Sequence, residues 1–232
     1  MLYYPPTYPK EKEEVLKQLS LYLLNKNIKS RQSLYQYIKK FLEEKKIKDF
    51  YPKLWHLNFV YKRYFDEKNE SLISLLKVVA IRSLSGIVPL SVFTSPKNSC
   101  PFNCVYCALN SDAPKSYFSD EAAVMRAVRA SYDPFKQTFD RLMQFYLSGH
   151  PIDKIELIIQ GGTFSFYEKG YREWFVKRVF DGLNTDIEKI VDGCDLVYAN
   201  AKDLDEAKKI NEKAKSRMVG LTIETRPDFI NK

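Results

Sequence analysis

Three cysteines stand close together in this chain, Cys100, Cys104 and Cys107, in the run CPFNCVYC. A gap of three residues and then of two lets three thiolates converge on one 4Fe-4S cubane. Such a cluster has four irons, so three protein ligands leave one iron open to a small chelating molecule. Zinc is the competing occupant, but structural zinc sites take four donors, usually two Cys-x-x-Cys hooks or added histidines. The fourth cysteine, Cys194, lies far along the chain, and the only two histidines, His56 and His150, stand at no zinc spacing. Cys194 therefore reads as a free thiol, and His150, just after Gly149, as a helix-end residue. A second feature is Gly161-Gly162-Thr163. Two glycines in a row make either a plain turn or a place where backbone approaches a ligand closely.

The elements around these residues give them places. Ile87 to Thr94 (IVPLSVFT) is short, apolar and β-branched, bounded by Gly86 and Ser95-Pro96, and reads as a buried strand that delivers the cysteine loop. A long helix is expected over 120–148, opened by Ser119 or Asp120 and stopped by Gly149. Residues 154–160 (KIELIIQ) form a second strand that runs into Gly161-Gly162. Helices are expected over about 168–183 and 203–215, and a third strand over 218–224 (MVGLTIE). Alternating strands and helices are the mark of a parallel sheet covered by helices. Glu224 and Arg226 then stand at the carboxyl end of a parallel strand, where ligand groups gather in barrels, although a structural ion pair would serve as well. Arg126 and Arg129, one turn apart, face either an anionic ligand or solvent.

The front of the chain differs. Residues 9–24 read as a helix with Val15, Leu16, Leu19 and Leu23 inward, and Ser30 caps a second helix burying Leu34, Tyr37, Ile38, Phe41 and Leu42. Leu72 to Ala80 reads as a further helix, so 1–80 is expected to be a small, basic, all-α domain and 81–232 an α/β domain. Residues 1–98 hold 18 Lys and Arg against 9 Asp and Glu, whereas 99–232 hold 19 against 20. The whole basic excess precedes the first cysteine, which suggests that the front meets a polyanion, with Arg31, Lys39, Lys40, Lys45 and Lys46 as its candidate contacts. A solvated, lysine-rich helix surface is the plain alternative. The 232 residues and 45% hydrophobic content suffice for a buried core. Four cysteines, three of them clustered, are too few for a disulfide framework, which points to a reducing cytoplasm. No run of about 18 apolar residues exists, so no transmembrane span is expected, and the N-terminus has no signal-peptide pattern.

Five segments carry a resemblance: RSLSGIVPL (82–90), CPFNCVYC (100–107), VMRAVRASYDPF (124–135), GHPIDKIELIIQGGTF (149–164) and GLTIETRPD (220–228). The cysteine loop resembles that of radical S-adenosylmethionine enzymes, and the five together closely resemble the catalytic subunit family of the elongator complex. The resemblance implies a 4Fe-4S cluster on Cys100, Cys104 and Cys107, whose open iron chelates the methionine part of S-adenosylmethionine. It implies that Tyr106 packs on the adenine and that Gly161, Gly162 and Thr163 meet the methionine amine. It also implies a basic tRNA-binding N-terminal region, a radical S-adenosylmethionine barrel and a C-terminal acetyltransferase domain. The family reaction adds a carboxymethyl-type group to C5 of the wobble uridine. A 5′-deoxyadenosyl radical takes hydrogen from the methyl of acetyl-CoA, and the carbon radical adds to uridine.

Two departures bear on that expectation. The gap between the first two cysteines is shorter than in some members of the family. The sequence also stops soon after Arg226 and Asp228, before the later barrel strands and the acetyltransferase domain. The expected architecture is therefore an incomplete (β/α) barrel, three βα units long, which another chain or a C-terminal half would complete. Leu221 and Ile223 of the third strand should be more exposed than Leu157 and Ile159 of the second. Two other functions fit less of the sequence: a different radical S-adenosylmethionine reaction on RNA, such as methylthiolation, and a non-catalytic tRNA-binding iron–sulfur protein. The elongator partner subunits are not readable from these residues.

Overall fold

The computed structural model describes residues 5, 8–65, 69–98, 100–107, 113–193 and 197–230. The chain divides into two compact units. The first comprises Met1–Leu84, Gln144–Pro151 and Ile187–Val197; the second comprises Ser85–Met143, Ile152–Asp186 and Tyr198–Lys232.

The first unit is helical. It holds helices α1 (Glu13–Leu24), α2 (Arg31–Glu44), α3 (Leu54–Tyr64) and α4 (Glu70–Leu76); α1, α2 and α4 stand where the apolar spacing placed helices, and α3 was not foreseen. Ser30 caps α2 as expected, its hydroxyl accepting the Ser33 amide while Ser33 returns the bond. Leu16, Leu19, Leu23, Leu34, Ile38, Leu57, Phe59 and Val60 fill the interior. His150 is buried, with Nδ1 2.9 Å from the Ser83 hydroxyl and its ring edge-on to Phe145. The third expected helix is shorter than 72–80, because α4 ends at Leu76 and a 3-10 turn follows at Ala80–Ser83.

The second unit is α/β. Strands β1 (Val88–Phe93), β2 (Lys154–Gln160) and β3 (Arg217–Ile223) form one parallel sheet in the order β1-β2-β3, with an irregularity between Ile155 and Glu156. Registered residues share a face, so Val88, Leu90 and Val92 line up with Ile155, Leu157 and Ile159. All six are buried. Burying each such side chain contributes about 1.5–3 kcal/mol. The opposite face is more polar and more open, with Pro89, Glu156 and Thr222 exposed and Ser91, Ile158 and Gln160 half-buried. Leu221 and Ile223 of β3 are 42% and 39% exposed, against 0% for Leu157 and Ile159.

One expected helix is two. Instead of one span over 120–148, α5 (Ala122–Arg129) and α6 (Pro134–Leu147) are separated by Ser131 and Tyr132, both at positive φ. Pro134 is the physical reason: its ring clashes with a preceding helical turn and disfavours helical backbone at Asp133, yet it suits a first helical position. Helices α7 (Lys169–Asn184) and α9 (Leu204–Asn211) match expectation in place, although α9 is shorter; α8 (Ile187–Val191) was not foreseen. Cys194 lies outside the described residues.

Candidate cluster and cofactor site

In a parallel sheet all carboxyl ends lie on one side, and here each delivers a segment of interest. The cysteine loop follows β1, Gly161-Gly162-Thr163 follows β2, and Glu224-Thr225-Arg226 follows β3. Gly162, Thr163, Glu224, Thr225 and Arg226 line one cavity of about 210 Å³ with Cys100, Cys104 and Cys107.

The three thiols face separate partners. Cys100 Sγ is buried, 3.2 Å from the Thr163 hydroxyl; Cys107 Sγ is 3.1 Å from the Ser116 hydroxyl; and Arg226 Nη1 donates to Cys104 Sγ at 3.8 Å. Burial alone would raise the Cys100 thiol. The Thr163 hydroxyl, the bonds at Phe102 and Thr163, and the charge of Lys115 outweigh it and hold the thiol below its ordinary pKa. Among the described residues no three His, Cys, Asp or Glu side chains converge closely enough to hold a single metal ion. The donor set therefore shares a cavity without meeting at one point. A cubane takes one thiolate per iron, so its ligands need not meet at a point as the ligands of one zinc ion must.

The loop is fixed from several sides. Lys115 Nζ donates to the Phe102 carbonyl at 2.7 Å and to Asn103 Oδ1 at 3.2 Å. The Phe102 ring packs against Phe166 and Phe229, and the Arg226 guanidinium lies 4.0 Å above it. Arg226 in turn donates twice to Asp228, at 3.0 and 2.9 Å. That bidentate pair is the ion-pair alternative raised from sequence, and the same guanidinium still reaches Cys104. Tyr106 is 88% exposed beside Cys104, whose sulfur raises its phenol pKa.

Both glycines are required. Gly161 and Gly162 have φ of +116° and +106°, which side chains rarely adopt. A Cβ on Gly161 would come within 2.4 Å of Thr94 Oγ1, and one on Gly162 within 2.8 Å of the Cys100 Cβ. The turn therefore lies directly against the first cysteine. Beyond the turn, the Glu224 carboxylate accepts the Gly161 amide at 3.0 Å and the Tyr117 phenol. Burial first, and then the Glu224 carboxylate, push the Tyr117 pKa far up, so the phenol keeps its proton and donates. Tyr117, Lys115 and Ser116 escaped the sequence reading, since no spacing rule ties them to the cysteines.

The five cations of the first unit are distributed along α2 and just past it. Arg31 donates to the Lys77 carbonyl, Lys39 pairs with Glu43 at 3.8 Å, and Lys40 with Glu44 at 3.9 Å. Lys45 and Lys46 lie exposed just past the helix. The surface is thus of mixed charge, not uniformly basic. Arg129 lines a separate cavity with Lys97, Met125, Val128 and Tyr132.

No protein-family model matches the chain. The curated tRNA uridine(34) acetyltransferase of Methanocaldococcus infernus is 41% identical over 170 residues, covering 71% of this chain and 29% of that protein. Elongator complex protein 3 of Schizosaccharomyces pombe is 37% identical over 171 residues, and that of Homo sapiens 36% over 172, each covering 69% of this chain and 29% of the relative. A solved structure of the archaeal Methanocaldococcus infernus Elp3 with an N-terminal deletion is 35% identical, covers 63% of this chain and 24% of its own, and superposes with a TM-score of 0.42. The chain spans about three-tenths of the length of the curated relatives it matches. Over about seven-tenths of its own length it is a homologue of the elongator catalytic-subunit family, whose curated members are named tRNA uridine(34) acetyltransferase and Elongator complex protein 3.

Proposed function

We propose that this chain is part of a radical S-adenosylmethionine enzyme that modifies C5 of the wobble uridine in tRNA, with acetyl-CoA as carbon donor. The observation that carries the reading is that three cysteines, Gly162 and Thr163 of the two-glycine turn, and Arg226, from three successive strand ends, line one cavity. Cys100, Cys104 and Cys107 would hold a 4Fe-4S cluster. When bound, such a cluster chelates S-adenosylmethionine through its open iron and supplies the single electron that cleaves the sulfonium bond. The chain's own residues do the rest of the work at this site. Gly161 and Gly162, free of side chains, let the turn lie against Thr94 and Cys100, which brings its backbone beside the cysteine where the cofactor's methionine amine would bind. Thr163 holds the Cys100 sulfur, and Arg226 sets a positive charge beside Cys104. Tyr106, exposed next to Cys104, is placed to cover an adenine.

We assign residues 1–80 to tRNA contact, through Arg31, Lys39, Lys40, Lys45 and Lys46, and residues 81–232 to the beginning of a radical S-adenosylmethionine barrel. Surface pairs such as Lys39–Glu43 are worth only about 0.3–0.5 kcal/mol, so these lysines can exchange their partners for phosphates. Among the described residues no helix is long and apolar enough to cross a membrane, and thiols left free for iron favour the cytoplasm. Acetyl-CoA as the donor follows from the family resemblance and agrees with relatives named tRNA uridine(34) acetyltransferase.

Anaerobic reconstitution with iron and sulfide tests the reading. It predicts about four irons per chain, lost in Cys100→Ala, Cys104→Ala or Cys107→Ala and kept in Cys194→Ala. 5′-Deoxyadenosine formation, assayed with the relatives' missing length supplied, then separates an enzyme from a non-catalytic cluster protein.

A further inference from the structure

We propose that Tyr117 and Glu224 form a brace that positions the Gly161-Gly162 turn against Cys100, so that Glu224 is a positioning residue and not a proton donor or acceptor in the reaction. The inference rests on the reading of that turn as the S-adenosylmethionine contact. Glycine loses more conformational freedom on ordering than any other residue, and two in succession at positive φ would wander unless held. Glu224 holds them from both sides. Its amide donates to the Ile159 carbonyl before the turn, and its carbonyl accepts the Phe164 amide after it, each at 3.0 Å. Between these, carboxylate Oε2 accepts the Gly161 amide at 3.0 Å.

Tyr117 aims that carboxylate. Its phenol donates to Oε1 of Glu224 and accepts from Gln160 Nε2 at 2.9 Å. The Tyr117 ring is fixed edge-on to Phe93, with centroids 4.8 Å apart, over a small core of Ala113, Val124 and Ala127. Loop 113–118, the ends of β1 and β2 and the segment after β3 are thereby tied at one point. With Gly161 on one oxygen, and Tyr117 and Gln160 (at 3.4 Å) on the other, both carboxylate oxygens are engaged in structural hydrogen bonds. Hydrogen bonds to charged groups are the stronger kind, so removing one should be readable.

The test uses Tyr117→Phe, Glu224→Gln and the double variant, with Tyr198→Phe as a control whose ring packs on Phe135 and Phe139 instead. Hydrogen exchange of residues 160–164 is measured in the metal-free chain. S-adenosylmethionine affinity is measured from the electron paramagnetic resonance shift of the reduced, reconstituted chain, beside iron content. The brace predicts about tenfold faster exchange at Gly161 and Gly162 in each single variant, the size expected for one charged hydrogen bond, with no further gain in the double. It predicts a similar weakening of S-adenosylmethionine binding at unchanged iron content, and neither effect in Tyr198→Phe. Unchanged exchange in Tyr117→Phe, or additive effects in the double variant, would overturn the brace. A parent chain that takes up no iron would instead sink the proposed function, while the exchange experiment still decides the brace.

Discussion

The two outer strands of the sheet are finished in different ways. At β1 the outer edge is closed at its carboxyl end: the Gln137 side chain on α6 accepts the Phe93 amide at 2.8 Å and donates to the Phe93 carbonyl at 3.0 Å. One carboxamide thus replaces the pair of bonds a neighbouring strand would make. Val88, Leu90, Val92 and Phe93 are buried behind it. At β3 the residue types are much the same, but Val219, Leu221 and Ile223 remain exposed. The register partners of Leu221 and Ile223, Leu157 and Ile159 on β2, are fully covered. Residue type therefore does not decide burial here; the neighbours do. β3 is paired with β2 along its length, and at its carboxyl end Glu224 and Arg226 reach back to the turn and the cysteine loop. The strand's end is tied into the site, while its apolar side chains stay exposed along its length.

Core substitutions should break that comparison most visibly. Leu157→Ala, in the covered centre of the sheet, should cost about 2–5 kcal/mol in a denaturant melt. Leu221→Ala, one strand away in the same register row, should cost far less. Equal losses would show that β3 is as well covered as β2 in solution.

A pH series offers a contrast within the helical unit. Burial first, then the charge of Lys53, lowers the His56 pKa to about 4 from 6.5. The folded chain resists the proton that the unfolded chain accepts, so this contribution is whole above about pH 6.5 and is lost as pH falls toward 4. Its ceiling is about 3 kcal/mol, and His56→Gln should flatten the stability profile across that window.

Next in size is the edge closure itself. Gln137→Met should leave the Phe93 amide and carbonyl buried without partners, at a cost of about 1–3 kcal/mol. A neutral result would mean that water reaches this edge and that the contrast with β3 is weaker than drawn. Smallest is Val219→Lys on the open strand, expected within about 0.5 kcal/mol in stability. That charge should lower self-association in sedimentation runs, since an exposed apolar strand invites pairing.

The sheet was legible because its three strands are short β-branched runs bounded by glycine and proline, and the cysteine loop because its spacing has few other uses. The break between α5 and α6 was written in Pro134, but the apolar periodicity on either side of it masked the stop. Helix α8 is five residues long, too short for any period to appear. The partners of Glu224 could not be read, because Tyr117 reaches it through the fold and not through sequence spacing. The charge surplus was visible, but the placing of Glu43 and Glu44 one turn beyond Lys39 and Lys40 makes that face mixed.

The central claim is that the cavity at the three strand ends is built for an iron–sulfur cluster on Cys100, Cys104 and Cys107. Iron and zinc analysis of the anaerobically prepared chain, run in parallel with the three single Cys→Ala variants, tests it most directly. The account predicts about four irons in the parent, a broad visible absorption that dithionite bleaches, and loss of both in each variant. Stoichiometric zinc without iron, or a cluster that survives any one of the three substitutions, would contradict it.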